Sequence, residues 1–145
     1  MPRTRRQVTV PSPPEEVWRV VGDPHHLPRW WPRAQRVESV DAGRWTLVFN
    51  TTKGRPVRAD FALVAEDPLR HRAWTQELED SPFERLMDEA VTQVWLEPRA
   101  GETEVTLEVH QKLRGLARFG WFMVSRANRR LLDEALGSLE QACGR

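Results

Sequence analysis

The 145-residue sequence predicts an α+β fold in which a curved antiparallel sheet of about seven strands wraps around a long C-terminal helix, with two short helices after the first strand. Three observations carry this. Residues 36 to 111 follow a period of two and are broken by turn residues at Asp41-Ala42-Gly43, Lys53-Gly54-Arg55, Asp67-Pro68 and Arg99-Ala100-Gly101. The stretch Leu113 to Ala142 reads as a single helix. Between a first strand and the strand-rich region, Pro11 to Pro32 carries helix starts and stops.

Taken in order, Val8 and Val10 alternate with polar neighbours and predict a strand over residues 3 to 10. Ser12, Pro13 and Glu15 form a Ser-x-x-Glu capping box with proline at the first helical position, and Gly22-Asp23-Pro24 ends that helix. His25 to Trp31 forms a second, proline-bounded helix. Strands follow near 35–41, 44–52, 56–66, 70–79, 89–97 and 102–111, the last with Val105, Leu107 and Val109 on one face and Glu104, Thr106 and Glu108 on the other. The apolar stripe of the long helix runs through Leu116, Phe119, Met123, Ala127, Leu131, Ala135 and Leu139. A sheet wrapped around that helix buries every one of these faces and leaves a gap between sheet and helix.

Composition narrows the function classes. The 22 basic and 21 acidic side chains nearly cancel, which argues against a nucleic-acid partner. No apolar run approaches the roughly 20 residues of a membrane span, so stable membrane insertion is not expected and a cytoplasmic protein is the simplest reading. Cys143 stands alone, and His25-His26 has no further ligand at a standard spacing, so neither metal nor cofactor is expected. Seven Trp and five Phe occur with no Tyr. Indoles demand large apolar surroundings, in a core or around a ligand.

Several local strings, in this order, resemble the helix-grip (START-like, SRPBCC) superfamily, and within it the polyketide cyclase/dehydrase and lipid-transport family. They are Pro13-Pro14-Glu15-Glu16-Val17-Trp18, Leu27-Pro28-Arg29-Trp30-Trp31-Pro32, Asp67-Pro68-Leu69-Arg70 leading to Ala73-Trp74, Leu96-Glu97-Pro98, Gly101 to Thr106, and Leu113-Arg114-Gly115. The resemblance spans nearly the whole chain and implies one helix-grip domain over 1–145. It further implies a cavity that holds a hydrophobic small molecule, a lipid or polyketide-like compound. The alternative it leaves open is a polyketide aromatase/cyclase or dehydratase working in the same cavity.

Candidate ligand contacts are Phe49, Trp74 and Val94 from the strands, Phe119 and Met123 from the helix, and Trp30 near the mouth. Arg72 shares strand parity with Trp74, so an inward face puts a guanidinium inside, where it needs a ligand acid or an ion pair with a nearby carboxylate. Gln76 adds a donor on the same face. His71 and His110 are expected on the outer face, and no catalytic constellation stands out. Residues 79 to 88 form a long connection, a lid or a subunit contact. The stretch Leu116 to Val124 is apolar nearly all round, which suits a homodimer interface, cavity closure or transient membrane contact. Cys143 is expected as a free thiol at a frayed end.

Overall fold

The computed structural model describes residues 3–51 and 53–143, the side chains of 116 and 117 excepted. β1 (Arg3–Val10) is followed by α1 (Pro14–Val21), a 3-10 turn at Pro24–His26 and α2 (Leu27–Trp30). Six strands come next: β2 (Ala34–Asp41), β3 (Arg44–Asn50), β4 (Pro56–Asp67), β5 (His71–Glu77), β6 (Met87–Arg99) and β7 (Glu102–Leu113). A 3-10 segment at Gly115–Gly120 leads into α3 (Trp121–Cys143). The seven strands form one antiparallel sheet in the order β1-β7-β6-β5-β4-β3-β2. This is the helix-grip arrangement that the period-two pattern and the terminal helix predict.

The meander from β2 to β7 follows from turns between consecutive strands, short except for the β5–β6 connection, and β1 closes it by pairing Val8 with Val105 on β7. Irregularities interrupt the pairing in β2, between Leu63 and Ala65, and between Met87 and Glu89. Such bulges bend and twist a sheet, which lets it curl around one helix.

α1 begins at Pro14 with Glu15 and Glu16 in its first turn, where carboxylates complement the helix dipole. The expected capping box does not form, because Ser12 is recruited elsewhere: its Oγ donates to the Cys143 carbonyl, while Pro13 occupies the cap position. The helix ends at Gly22, whose N–H donates to Trp18 O at 2.7 Å. A Cβ there would lie 2.8 Å from that oxygen and 2.9 Å from the Trp18 ring.

The main core joins both short helices, the inner sheet face and the second half of α3. Leu132, Ala135, Leu136, Leu139 and Cys143 pack on Val17, Val20, Val94, Leu96, Val105 and Leu107. Burying side chains of this size contributes about 1.5–3 kcal/mol each. A second cluster of Leu78, Met87, Ala90 and Leu113, with Phe83 and Val124 against it, sits at the other end.

α3 departs from the expected stripe. It starts at Trp121 rather than Leu113, because β7 runs on to Leu113 and the 3-10 segment intervenes, with Gly115 in the left-handed region at φ 58°. The buried positions are therefore Asn128, Leu132, Ala135, Leu136, Leu139 and Cys143. Ala135 and Leu139 keep their predicted place and Leu131 is half-buried. Ala127 is exposed and gives its place to Asn128. Leu116 of the expected stripe lies outside the described side chains.

Candidate functional site

Between the two apolar clusters lies a cavity of about 190 Å³, bounded by the inner sheet face and α3. Its apolar wall comes from Leu47 and Phe49 on β3, Phe61 on β4, Ala90 on β6, Val109 on β7, Leu131 on α3 and Phe83 from the β5–β6 connection. Trp31, Pro32 and Arg33, just after α2, form the remaining rim. Arg33 is exposed, with its backbone in the left-handed region at φ 62° and its carbonyl accepting from Asn50 N at 3.0 Å.

Four neutral polar side chains interrupt this wall: Gln76, Thr92, Gln111 and Asn128. Each sits at the inward parity of its strand or on the inner face of α3. The buried Asn128 donates through Nδ2 to Oε1 of Gln111 at 2.9 Å, tying helix to sheet inside the cavity. That bond uses neither the Asn128 side-chain oxygen nor the Gln111 Nε2. Among the described residues the lining contains no histidine and no carboxylate. The two strand histidines lie across the sheet: His71 stacks on Trp95 at 5.2 Å with Nε2 2.8 Å from Gln93 Oε1, and His110 Nδ1 is 3.5 Å from Glu89.

Behind the cavity the indoles build a continuous aromatic wall. Trp30 meets Trp31 edge-on at 5.4 Å, Trp31 meets Trp74 at 6.3 Å, Trp74 meets Trp45 at 6.1 Å, and Trp45 stacks on Phe61 at 6.0 Å. A further void of about 30 Å³ lies among Leu27, Trp31, Trp45, Phe61, Trp74 and Thr92, room for about one water molecule. The buried Trp45 Nε1 and Trp30 Nε1 have no hydrogen-bond partner among the described residues, and Trp45 borders that void.

Arg72 does point inward, and it is buried. It sits beyond the aromatic wall among Val21, Pro24, Leu27, Trp45 and Trp74, in a crevice without free volume. Its Nη1 donates to Glu66 on β4, and its guanidinium carbon lies 5.7 Å from the centre of the Trp45 ring. Burial pulls the guanidinium below the usual arginine range, opposed by Glu66 and by Asp23. Of the two partners foreseen for it, a ligand acid and a structural carboxylate, the structure supplies the carboxylate.

The other sequence candidates divide. Phe49 lines the cavity between sheet and α3, Trp74 lines the smaller void beside it, and Val94 and Trp30 are fully enclosed in the core. Phe119 and Met123 do not close the cavity: they are 72% and 66% exposed, because the 3-10 segment carries the start of α3 clear of the sheet. Leu131 and Asn128 take the positions that the straight stripe assigned to them. Sequence reasoning missed Asn128, Gln111 and Arg33. The first two interrupt apolar patterns at single positions, a signal indistinguishable from a surface residue without the helix phase. His25 and His26 are engaged locally, with Asp23 at 2.9 Å and the Arg19 carbonyl at 2.8 Å, and no three metal-ligating side chains converge among the described residues.

A seven-stranded antiparallel sheet closed over a C-terminal helix, with a cavity between them, defines a helix-grip protein. The chain belongs to the polyketide cyclase/dehydrase and lipid-transport family, whose pattern matches residues 1–144. The fold is shared with the ZhuI aromatase/cyclase from Streptomyces sp. R1128, at TM-score 0.80 and 19% identity over 99% of this chain and 93% of that one. It is shared likewise with the di-domain ARO/CYC BexL of the BE-7585A biosynthetic pathway, at TM-score 0.81 and 23% identity over 98% of this chain and 46% of that one. TTHA0849 from Thermus thermophilus superposes at TM-score 0.76 and 19% identity, over 98% and 97% of the two chains. No functionally curated protein matches the chain by sequence. No helix among the described residues is long and apolar enough to cross a membrane.

Proposed function

We propose that the protein binds a small, largely apolar molecule bearing neutral oxygen groups, a lipid or polyketide-like compound, in the cavity between the sheet and α3. The observation that carries this reading is the lining: apolar walls broken by Gln76, Thr92, Gln111 and Asn128, with Arg33 the one ionisable side chain among the described residues, at the exposed rim. Amides and hydroxyls inside an apolar wall recognise carbonyls and hydroxyls, and they do not offset the cost of burying a carboxylate. A cavity of about 190 Å³ is smaller than the roughly 300–1,000 Å³ of drug-sized pockets and close to one known to hold a single aromatic ring. It suits one ring or two fused rings, or a longer molecule if Phe83 and its loop move outward.

Cyclase or dehydratase chemistry in the same cavity is the second reading, supported by family membership. It requires a group that moves protons. With His71 and His110 on the outer face, such a protein would act by folding a reactive chain against the amide band, leaving proton transfer to water or to the substrate.

Calorimetric titration with neutral ring ketones and phenols, set against carboxylates of the same size, tests the proposal. Neutral ligands should bind, and Asn128→Leu should weaken them by about tenfold, the usual worth of one buried hydrogen bond. Preference for the carboxylates, or affinity unchanged in Asn128→Leu, would overturn it. Turnover of a poly-β-ketone substrate would favour the second reading.

A further inference from the structure

The charge of this near-neutral chain is not evenly spread. Residues 112 to 132 contain six basic side chains (Lys112, Arg114, Arg118, Arg126, Arg129 and Arg130) and no acidic one, although the whole chain has 22 basic and 21 acidic residues. All six are exposed. The same segment holds the largest exposed apolar side chains: Phe119, Trp121, Phe122 and Met123 are between 57% and 72% exposed. Monomeric proteins rarely leave such a patch bare without a use for it.

The geometry explains why these residues are not drawn into the core. The 3-10 segment from Gly115 to Gly120 projects the first turn of α3 beyond the sheet, so Trp121, Phe122 and Met123 are exposed in succession around the helix. Phe122, Arg126 and Arg130 follow one another at a helical spacing of four, and Arg129 lies three positions from Arg126, so they border one strip of its surface. Leu86, itself 49% exposed, extends the apolar tip, and its carbonyl accepts from Arg114 N at 2.8 Å.

We infer that this tip docks on the surface of an anionic lipid bilayer, with Trp121, Phe122 and Met123 entering the interfacial region and the arginines meeting the headgroups. Indoles partition to the membrane interface, and a basic strip beside a protruding apolar one is the pattern of helices that lie there. Arg114 pairs with Asp88 at 3.3 Å, and anionic headgroups complement the other basic residues of this segment. A second copy of the chain fits less well. A two-fold contact across this face would set six basic residues against the same six. Docking at the tip is independent of what the cavity holds.

Co-sedimentation of the full chain with phosphatidylcholine vesicles, with and without about one-third phosphatidylserine, tests this. Binding should require the anionic lipid and weaken with salt. Replacing two arginines together (Arg126→Gln with Arg130→Gln) should weaken it by roughly an order of magnitude or more, at about fivefold per charge. Trp121→Ser with Phe122→Ser should also release the protein. Both pairs lie on the exposed surface, so an unchanged melting temperature will show that the fold is intact. No binding to anionic vesicles, or equal binding to pure phosphatidylcholine, overturns the inference. So does a wild-type dimer in sedimentation equilibrium that the Trp121/Phe122 variant makes monomeric.

Discussion

Ser12 Oγ donates a hydrogen bond of 2.6 Å to the carbonyl oxygen of Cys143, joining the β1–α1 corner to the last turn of α3 across 131 positions of sequence. The Ser12 carbonyl in turn accepts from Thr103 Oγ1 on β7 at 2.7 Å, so one buried residue ties helix, sheet and N-terminal corner together. A helix end leaves carbonyls unpaired, and here a side chain from a distant element satisfies one of them. Ser12→Ala should lower the unfolding free energy by about 1–3 kcal/mol, read from urea unfolding. Thr103 bonds the backbone carbonyl that Ser12→Ala retains, so Thr103→Val should add a separate loss of about 1 kcal/mol to that of Ser12→Ala.

Cys143 is a core residue and not the frayed end that its position in the sequence suggests. Burial pushes its thiol up to about 11 from the usual 9.0, with weaker opposing effects of Arg29 downward and Glu16 upward. The native protein should therefore resist thiol reagents near pH 8 and react only as it unfolds. A thiol whose folded pKa is raised contributes its full stability below about 9, and that contribution is lost as the pH rises to about 11. The loss amounts to about 2–3 kcal/mol. Chemical unfolding at pH 8 and pH 11 should show it in the wild type as an excess over Cys143→Ala. The chain has no tyrosine to mask the effect.

Arg72 and Glu66 should respond unequally to mutation. Glu66 is partly in solvent, whereas Arg72 is enclosed by Trp45 and Trp74. Glu66→Ala strands a buried cation and should destabilise the protein by about 2 kcal/mol more than Arg72→Met, which leaves only a solvated carboxylate. Arg72→Met should leave the affinity of a cavity ligand unchanged, because the aromatic wall separates the two. Thermal unfolding and calorimetric titration of the same variants check both halves.

The two halves of α3 should differ sharply in their sensitivity to truncation. Leu132 is fully enclosed, and Leu132→Ala should cost about 3 kcal/mol. Phe122→Ala removes a larger side chain from the exposed turn and should change stability by less than about 0.5 kcal/mol. A comparable loss at both positions would mean that the tip of α3 packs on the sheet in solution.

The sheet was legible in the sequence because alternation survives any error of a residue or two. Val105, Leu107 and Val109 are buried whatever the strand ends, and turn residues such as Asp41-Ala42-Gly43 fall where the structure turns. The helix was legible at its C-terminal end, where Ala135 and Leu139 are buried as the stripe predicts, and not over its first turns. Between 116 and 124 the chain is apolar nearly all round, so periodicity offers no preferred face, and the 3-10 segment then sets the rotation that places Asn128 inward. Capping was misread for a similar reason. Ser12 has a local role open to it and a distant one, and only packing decides between them.

What the sequence determined by itself is the order of elements, the antiparallel sheet and the family, because these follow from periodicity, turn chemistry and local strings. What only the tertiary structure decided is which side chains meet. Arg72 finds Glu66 six positions away across a β-hairpin, Asn128 finds Gln111 across the helix–sheet gap, and Phe119 and Met123 find solvent. The physical reason is that a side chain's partner depends on helix phase and sheet curvature. A single 3-10 turn or bulge resets both without leaving a mark on the hydrophobic pattern.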